Sequence, residues 1–367
     1  MNRSDMSKTS KMRYRMTDFE LLTKDKDFSW EELQQVQYGL NDHMPVEQIA
    51  IYANQEFNWM QMKQVRLGLR NNLSAEEVSI YANPLFNDSQ MNMIRTQLEE
   101  GLPVKQVKLF AKPEFCCEQI NEIIKCIVND FTEEQINICI NQEHPFDAGQ
   151  MAEIRLGFEH ELSLDQIRIY SDKRFDDNQM YEIRVGLENK LTKEQILIYA
   201  APKFNWRQME QIRAGFEHGL SEEQVSVYAD PKLKRYQMGE IRLGFEYGLS
   251  MKQVLLYADP SNDSDEMAVY RLQIIENIKN GIDSDVYFTE LKKYEEMGLA
   301  SDFAKDLAGA AGKGLSSKKL DYVLRSGLTE NQIKFILHNA TNNINKKITD
   351  EKTDVGSKKQ GKEDITR

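Results

Sequence analysis

Apolar positions along this chain alternate between a longer and a shorter helical rhythm. The stretch Phe204 to Lys232, FNWRQMEQIRAGFEHGLSEEQVSVYADPK, shows both. Met209, Ile212 and Phe216 recur at helical spacing, so one stripe of a first helix is apolar; Val225 and Tyr228 do the same on a second segment. Polar punctuation sets the ends. Asn205 can cap the first helix, with Gln208 three residues on to complete a capping box and Phe204 and Met209 as a hydrophobic staple. Gly219 can end that helix in a left-handed conformation. Ser221, Gln224, Leu220 and Val225 repeat the opening signals, and Asp230-Pro231 stops the second helix. The pattern predicts two short antiparallel helices, the first of about 13 residues and the second of about 9.

The same grammar starts at Phe28, Phe57, Phe86, Phe115, Phe146, Phe175, Phe204 and Leu233, in steps of 29 residues except for one of 31 between Phe115 and Phe146. A fixed period of this length is the mark of stacked repeats, because a hairpin so small cannot bury its apolar face alone. The expected fold is all-α, an α-solenoid of short αα-hairpin repeats. Residues 1–27 read as a flexible arm with one turn of helix near Thr17–Leu22. Eight repeats fill 28–260, and a degenerate ninth, keeping Met267, Arg271, Gly281 and Tyr287, fills 261–289. Residues 290–345 form a helical C-terminal cap, in which Gly327, Thr329 and Gln332 echo the repeat, and 346–367 form a polar tail expected to be disordered.

Aligned copies expose columns. Tyr52, Tyr81, Phe110, Tyr170, Tyr199, Tyr228 and Tyr257 form an inward aromatic column with hydroxyls expected at the core's edge. A methionine column (Met62, Met91, Met151, Met180, Met209, Met238) belongs to the core. Gly39, Gly68, Gly157, Gly186, Gly215 and Gly244 lie inside the first helix, where glycine costs about 1 kcal/mol against alanine; the repeated cost implies close approach by a neighbouring repeat. Arg66, Arg95, Arg155, Arg184, Arg213 and Arg242 form a further column, mostly followed one turn later by glutamate. Such a row can be an inter-repeat ladder or a line of guanidiniums offered to a phosphate or carboxylate ligand. Trp30, Trp59 and Trp206 stand at the first helical position, an exposed place where tryptophan can anchor a partner.

No other feature points as clearly to chemistry. Cys116, Cys117, Cys126 and Cys139 all fall in the fourth copy, with His144 nearby, but the spacing lacks a C-x-x-C pair; Cys126 and Cys139 occupy the Gly and Tyr columns as small core substitutes. The same copy has Ile124 in the Arg column. Gly309-Ala-Ala-Gly312-Lys313-Gly314 lacks the first glycine, the hydroxyl and the preceding strand of a phosphate loop. The histidines are scattered and no nucleophile–base set converges, so neither catalysis, cofactor nor metal is expected. The net charge is -12: about +2 on residues 1–27 and about +3 on 290–367, leaving about -17 on the repeats, which disfavours generic phosphate-backbone binding. The first residues lack an apolar signal segment and no run suits a membrane span, so a cytoplasmic protein is expected.

The phrases IRAGFEHGL, EEQVSVYADPK and NWRQMEQIR resemble tandem repeats in accessory proteins of Gram-positive mobile elements and phage-like regions, over most of 28–260. That resemblance implies a lineage and a bacterial cytoplasmic setting, and it implies no site. Leu220-Ser-Glu-Glu-Gln224-Val225 followed by Tyr228-Ala229 is similar to repeats of transcription-activator-like DNA-binding effectors, although the loop here carries Pro231 and, in most copies, a Phe in place of the base-reading pair. The expected function is a non-catalytic scaffold for a protein or peptide partner, with nucleic-acid binding through the Arg column as the alternative.

Overall fold

Reciprocal capping bonds open the hairpins. The Gln61 backbone N–H donates to Asn58 Oδ1 at 3.0 Å while the Asn58 N–H donates to Gln61 Oε1 at 2.9 Å. The same pair recurs at Asn87 and Gln90, Asp147 and Gln150, and Asn205 and Gln208. The computed structural model describes residues 17–141 and 145–344, and among them every regular element is a helix. First helices run Trp30–Asn41, Trp59–Arg70, Asp88–Glu99, Cys117–Val128, Ala148–Glu159, Asp177–Glu188, Trp206–Glu217 and Arg235–Glu246, each of 12 residues. The fold is an all-α solenoid of αα-hairpins.

Second helices are shorter than the spacing predicts. They range from 8 residues at Glu133–Ile140 through 7 at Leu164–Tyr170 to 4 at Met251–Val254. The last turn tightens: in the second repeat Ile80 and Tyr81 donate to carbonyls three residues back, and Asn83 N–H then closes on Tyr81 O at 2.7 Å. There the α-helix ends at Ser79, two residues short of Tyr81, whereas Val46–Tyr52 and Leu164–Tyr170 run through the column aromatic.

The chain divides into two compact units, residues 1–184 and 185–367. In the first, the first helices of repeats one to five pack one on the next. In the second, Trp206–Glu217 packs on Arg235–Glu246, which packs on Ser264–Lys279. Two side chains tie neighbours together. The capping glutamine uses its acceptor locally and its donor at the junction with the next repeat: Gln61 Nε2 donates to Pro84 O at 3.1 Å, at the end of its own repeat, and to Phe86 O at 2.6 Å, at the start of the following one. Gln208 makes the same two bonds to Pro231 and Leu233. Glutamate could cap equally well but could not donate, which explains why glutamine recurs.

The glycine column has a different origin from the one expected. A Cβ on Gly39, Gly68, Gly157, Gly186, Gly215 or Gly244 would stand 1.8–2.0 Å from the hydroxyl of the tyrosine 13 residues later, in the same hairpin. The close approach is thus made by the repeat's own second helix. The tyrosine hydroxyls do not sit at the core's edge either: they reach across the hairpin, as where Tyr52 donates to Gln35 O at 3.3 Å and Tyr170 to Glu153 O at 3.2 Å. Burial pushes the Tyr52, Tyr81, Tyr228 and Tyr257 phenols well above the ordinary phenol range.

The ends also depart from expectation. The turn of helix expected near Thr17–Leu22 is present as Asp18–Thr23, capped by Thr17, but the segment around it is packed where a flexible arm was expected: Leu22 is buried, and Lys26 Nζ donates to Ala53 O. The ninth copy has a longer first helix, Ser264–Lys279. The helix Ser284–Glu296 runs unbroken through residue 290, and the chain continues through Ser301–Gly312, Ser317–Leu324 and a helix over 330–344. Tyr294, Phe303, Leu307, Leu320, Ile333 and Leu337 form the core of these helices. Residues 1–16 and the tail 346–367 lie outside the described residues.

Candidate interaction surface

The arginine column forms a ladder that points back along the chain. Arg66 Nε donates to Gln35 Oε1 at 3.1 Å and Arg95 Nε to Gln64 Oε1 at 3.1 Å, each in the preceding repeat. Arg155 and Arg184 meet Glu122 and Glu153 in the same way at 2.8 Å. In the second unit Arg242 reaches Gln211 at 3.2 Å and Arg271, in the ninth copy, reaches Glu240 at 2.9 Å. The other face of the guanidinium holds the glutamate one turn on: Arg95 Nη1 lies 2.7 Å from Glu99, Arg155 Nη1 2.6 Å from Glu159 and Arg213 Nη1 2.6 Å from Glu217, with Arg242 on Glu246. The preceding repeat completes the cage, with Asn71 donating to Glu99 at 3.0 Å and Asn189 to Glu217 at 2.7 Å. Side chains of Arg66, Arg95, Arg155, Arg184 and Arg242 retain between 6% and 15% exposure.

Glu122 shows how the charges settle. Burial alone would raise its carboxyl, but hydrogen bonds from Lys125 and Arg155 outweigh that and hold it below the usual carboxylate range. Burial likewise works against the Arg155 cation, and the two glutamates beside it more than compensate.

The fourth repeat breaks the arginine, glycine and tyrosine columns, and the breaks are matched. Ile124 replaces the arginine, and register places Met93 where its acceptor would stand in the repeat before. Cys126 replaces the glycine and Cys139 the tyrosine; the two thiols are buried with their Sγ atoms 3.8 Å apart. The hydrogen bond with Cys126, and burial after it, push the Cys139 thiol up. Cys116, at the helix start, is exposed and Cys117 half-buried. No group of three or more metal-ligating side chains converges among the described residues.

The tryptophans have a different setting from the arginines. Trp30 and Trp59 occupy equivalent places on the packed first helices of the first two repeats, 69% and 36% exposed. Trp206, in the second unit, is half-buried with the Arg207 guanidinium over its ring at 4.8 Å. Sequence reading overlooked two exposed side chains on the same two helices, Tyr38 and Met60. Met60 had a signal, an apolar residue at a position that the other repeats fill mostly with polar or small side chains; Tyr38 had none, because its column is mostly aliphatic. Tyr38 also stacks on the Arg66 guanidinium at 5.3 Å, linking the aromatic surface to the ladder.

Lys313 and Gly314 close the C-terminal end of the helix Ser301–Gly312, whose terminal dipole is negative, so this turn lacks the amide-lined start of a phosphate loop. No helix among the described residues is long and apolar enough to cross a membrane. No protein-family model matches the chain and no curated protein matches it, so it is characterised by its own repeats and the surface they leave exposed.

Proposed function

We propose that the protein is a non-catalytic scaffold that binds a protein or peptide partner through the outer face of its first helices, anchored at Trp30 and Trp59. One contrast carries the reading. The repeating charges are engaged inside the stack, whereas two indole rings stand open at equivalent places on adjacent helices. Adjacent packed helices lie about 8–10 Å apart, a spacing that lets one partner segment meet both rings. Large aromatics of this kind dominate binding energy at interfaces, where truncation typically costs about 2 kcal/mol or more.

The alternative, nucleic-acid binding along the arginine column, requires guanidiniums to exchange glutamate for phosphate. Burial and bidentate pairing oppose that exchange. The resemblance to repeats of Gram-positive mobile elements supports a bacterial cytoplasmic setting. Full-length protein used as bait in extract of the encoding organism should retain a polypeptide, and Trp30→Ala with Trp59→Ala should release it while the melting temperature stays within a few degrees. Undiminished capture by that variant overturns the reading. Co-purifying absorbance at 260 nm that salt removes steeply would favour the nucleic-acid alternative instead.

A further inference from the structure

Among the described residues, the last hairpin of the second unit presents an apolar outer face. Its helices are Ser317–Leu324 and the segment 330–344, and Thr329 with Gln332 forms the capping box of an ordinary repeat. A terminal repeat normally presents a polar outer face, because nothing stacks on it. Here Tyr322 is 77% and Phe335 69% exposed, and Leu328 and Ile336 are exposed beside them. A groove of about 530 Å³ runs between the two helices, floored by Leu315, Tyr322, Val323, Ile336 and Ile344. A second apolar depression, lined by Leu328, Phe335 and Ile336, adjoins it through Ile336.

The rim of the groove is positive. Lys318 and Lys319 line it, both exposed and without an ion-pair partner among the described residues. Nearby cations are engaged: Lys293 lies 2.9 Å from Asp321 and Lys334 2.9 Å from Asp306. A local excess of positive charge on a chain of net charge -12 is a specific address for a negative partner, since the rest of the surface repels it.

We infer that this outer face is a docking groove for an amphipathic helix of another protein, with apolar residues at i, i+3 or i+4 and i+7 and carboxylates along the flank that meets Lys318 and Lys319. The shape and polarity match the mode in which a helix lays its apolar side into a hydrophobic groove. A second copy using the same face would bring the four lysines of the two grooves toward each other, which like charge opposes. The inference rests on the interaction reading above but uses a surface separate from the tryptophans.

The test places the photo-crosslinker p-benzoylphenylalanine at position 335 of the full-length protein and irradiates it in extract of the encoding organism, with peptide mapping of the product. The expected product joins position 335 to an acidic amphipathic segment of a different polypeptide. Lys318→Glu with Lys319→Glu should lower its yield at least about tenfold, with helix content unchanged, as reversal of interfacial charge predicts. Trp30→Ala with Trp59→Ala should leave the yield unchanged, so failure of one surface is distinguishable from failure of the other. A crosslink to a second copy of this chain, a crosslink to a basic or non-amphipathic segment, a yield insensitive to the lysines, or no product at all would overturn the inference.

Discussion

At the level of single residues, the glycine and tyrosine columns are two halves of one device. In the eighth repeat a Cβ on Gly244 would lie 2.0 Å from the Tyr257 hydroxyl but 3.3 Å from the ring carbon behind it. Gly244→Ala should therefore destabilise the second unit by about 1–3 kcal/mol through overpacking, despite the gain in helix propensity. Adding Tyr257→Phe removes the clashing atom, and the double variant should recover most of that loss; denaturant titration of the four-membered cycle measures the coupling. Gln61 offers a second test. Gln61→Glu keeps the capping acceptor but sets a carboxylate against the carbonyls of Pro84 and Phe86. A loss of about 2 kcal/mol is expected, read as a lower urea midpoint. Much of this was legible in advance: the caps, the buried columns and the period follow from residue spacing. The partnership of glycine with tyrosine was not, because they stand 13 residues apart and only the hairpin's closure brings them together. The glutamine donor was hidden for a related reason, since its capping role already accounted for it.

Among helices and hairpins, the fourth repeat shows that columns change in concert. Tyrosine cannot return alone: Cys139→Tyr would drive its hydroxyl toward the Cys126 thiol, as tyrosine hydroxyls approach the glycines elsewhere. That single change should destabilise the first unit by about 1–3 kcal/mol. Cys126→Gly with Cys139→Tyr restores the common pair and should be neutral or stabilising, as thermal melts of both variants would show. The cysteines were correctly placed in their columns from the sequence. Their mutual contact emerged only with the packing of the two helices. The arginine ladder was half visible in the same way. Spacing along one helix gave the glutamate one turn on, whereas the Nε contact lies 31 residues back and depends on how neighbouring hairpins stack.

For the molecule as a whole, the buried phenols set a limit in alkali. Tyr52, Tyr81, Tyr228 and Tyr257 are held neutral in the fold and are free to ionise once it opens. Their contribution to stability is complete below about pH 10, the ordinary phenol value, and is lost as pH rises beyond it toward the folded values. Tyrosinate absorbance from these four should appear together with loss of helical circular dichroism; ionisation with the helix signal intact would contradict their burial. The ladder carries a consequence of a different kind. Arg155 grips Glu122 from 33 residues away where other rungs span 31, so the two extra residues between repeats are absorbed without losing step. Each rung consults only the rung before it, and no bond records how many there are. A gene built this way can duplicate or drop a unit by recombination between its own copies and still encode a chain that folds, making reach an adjustable trait in the descent of such proteins.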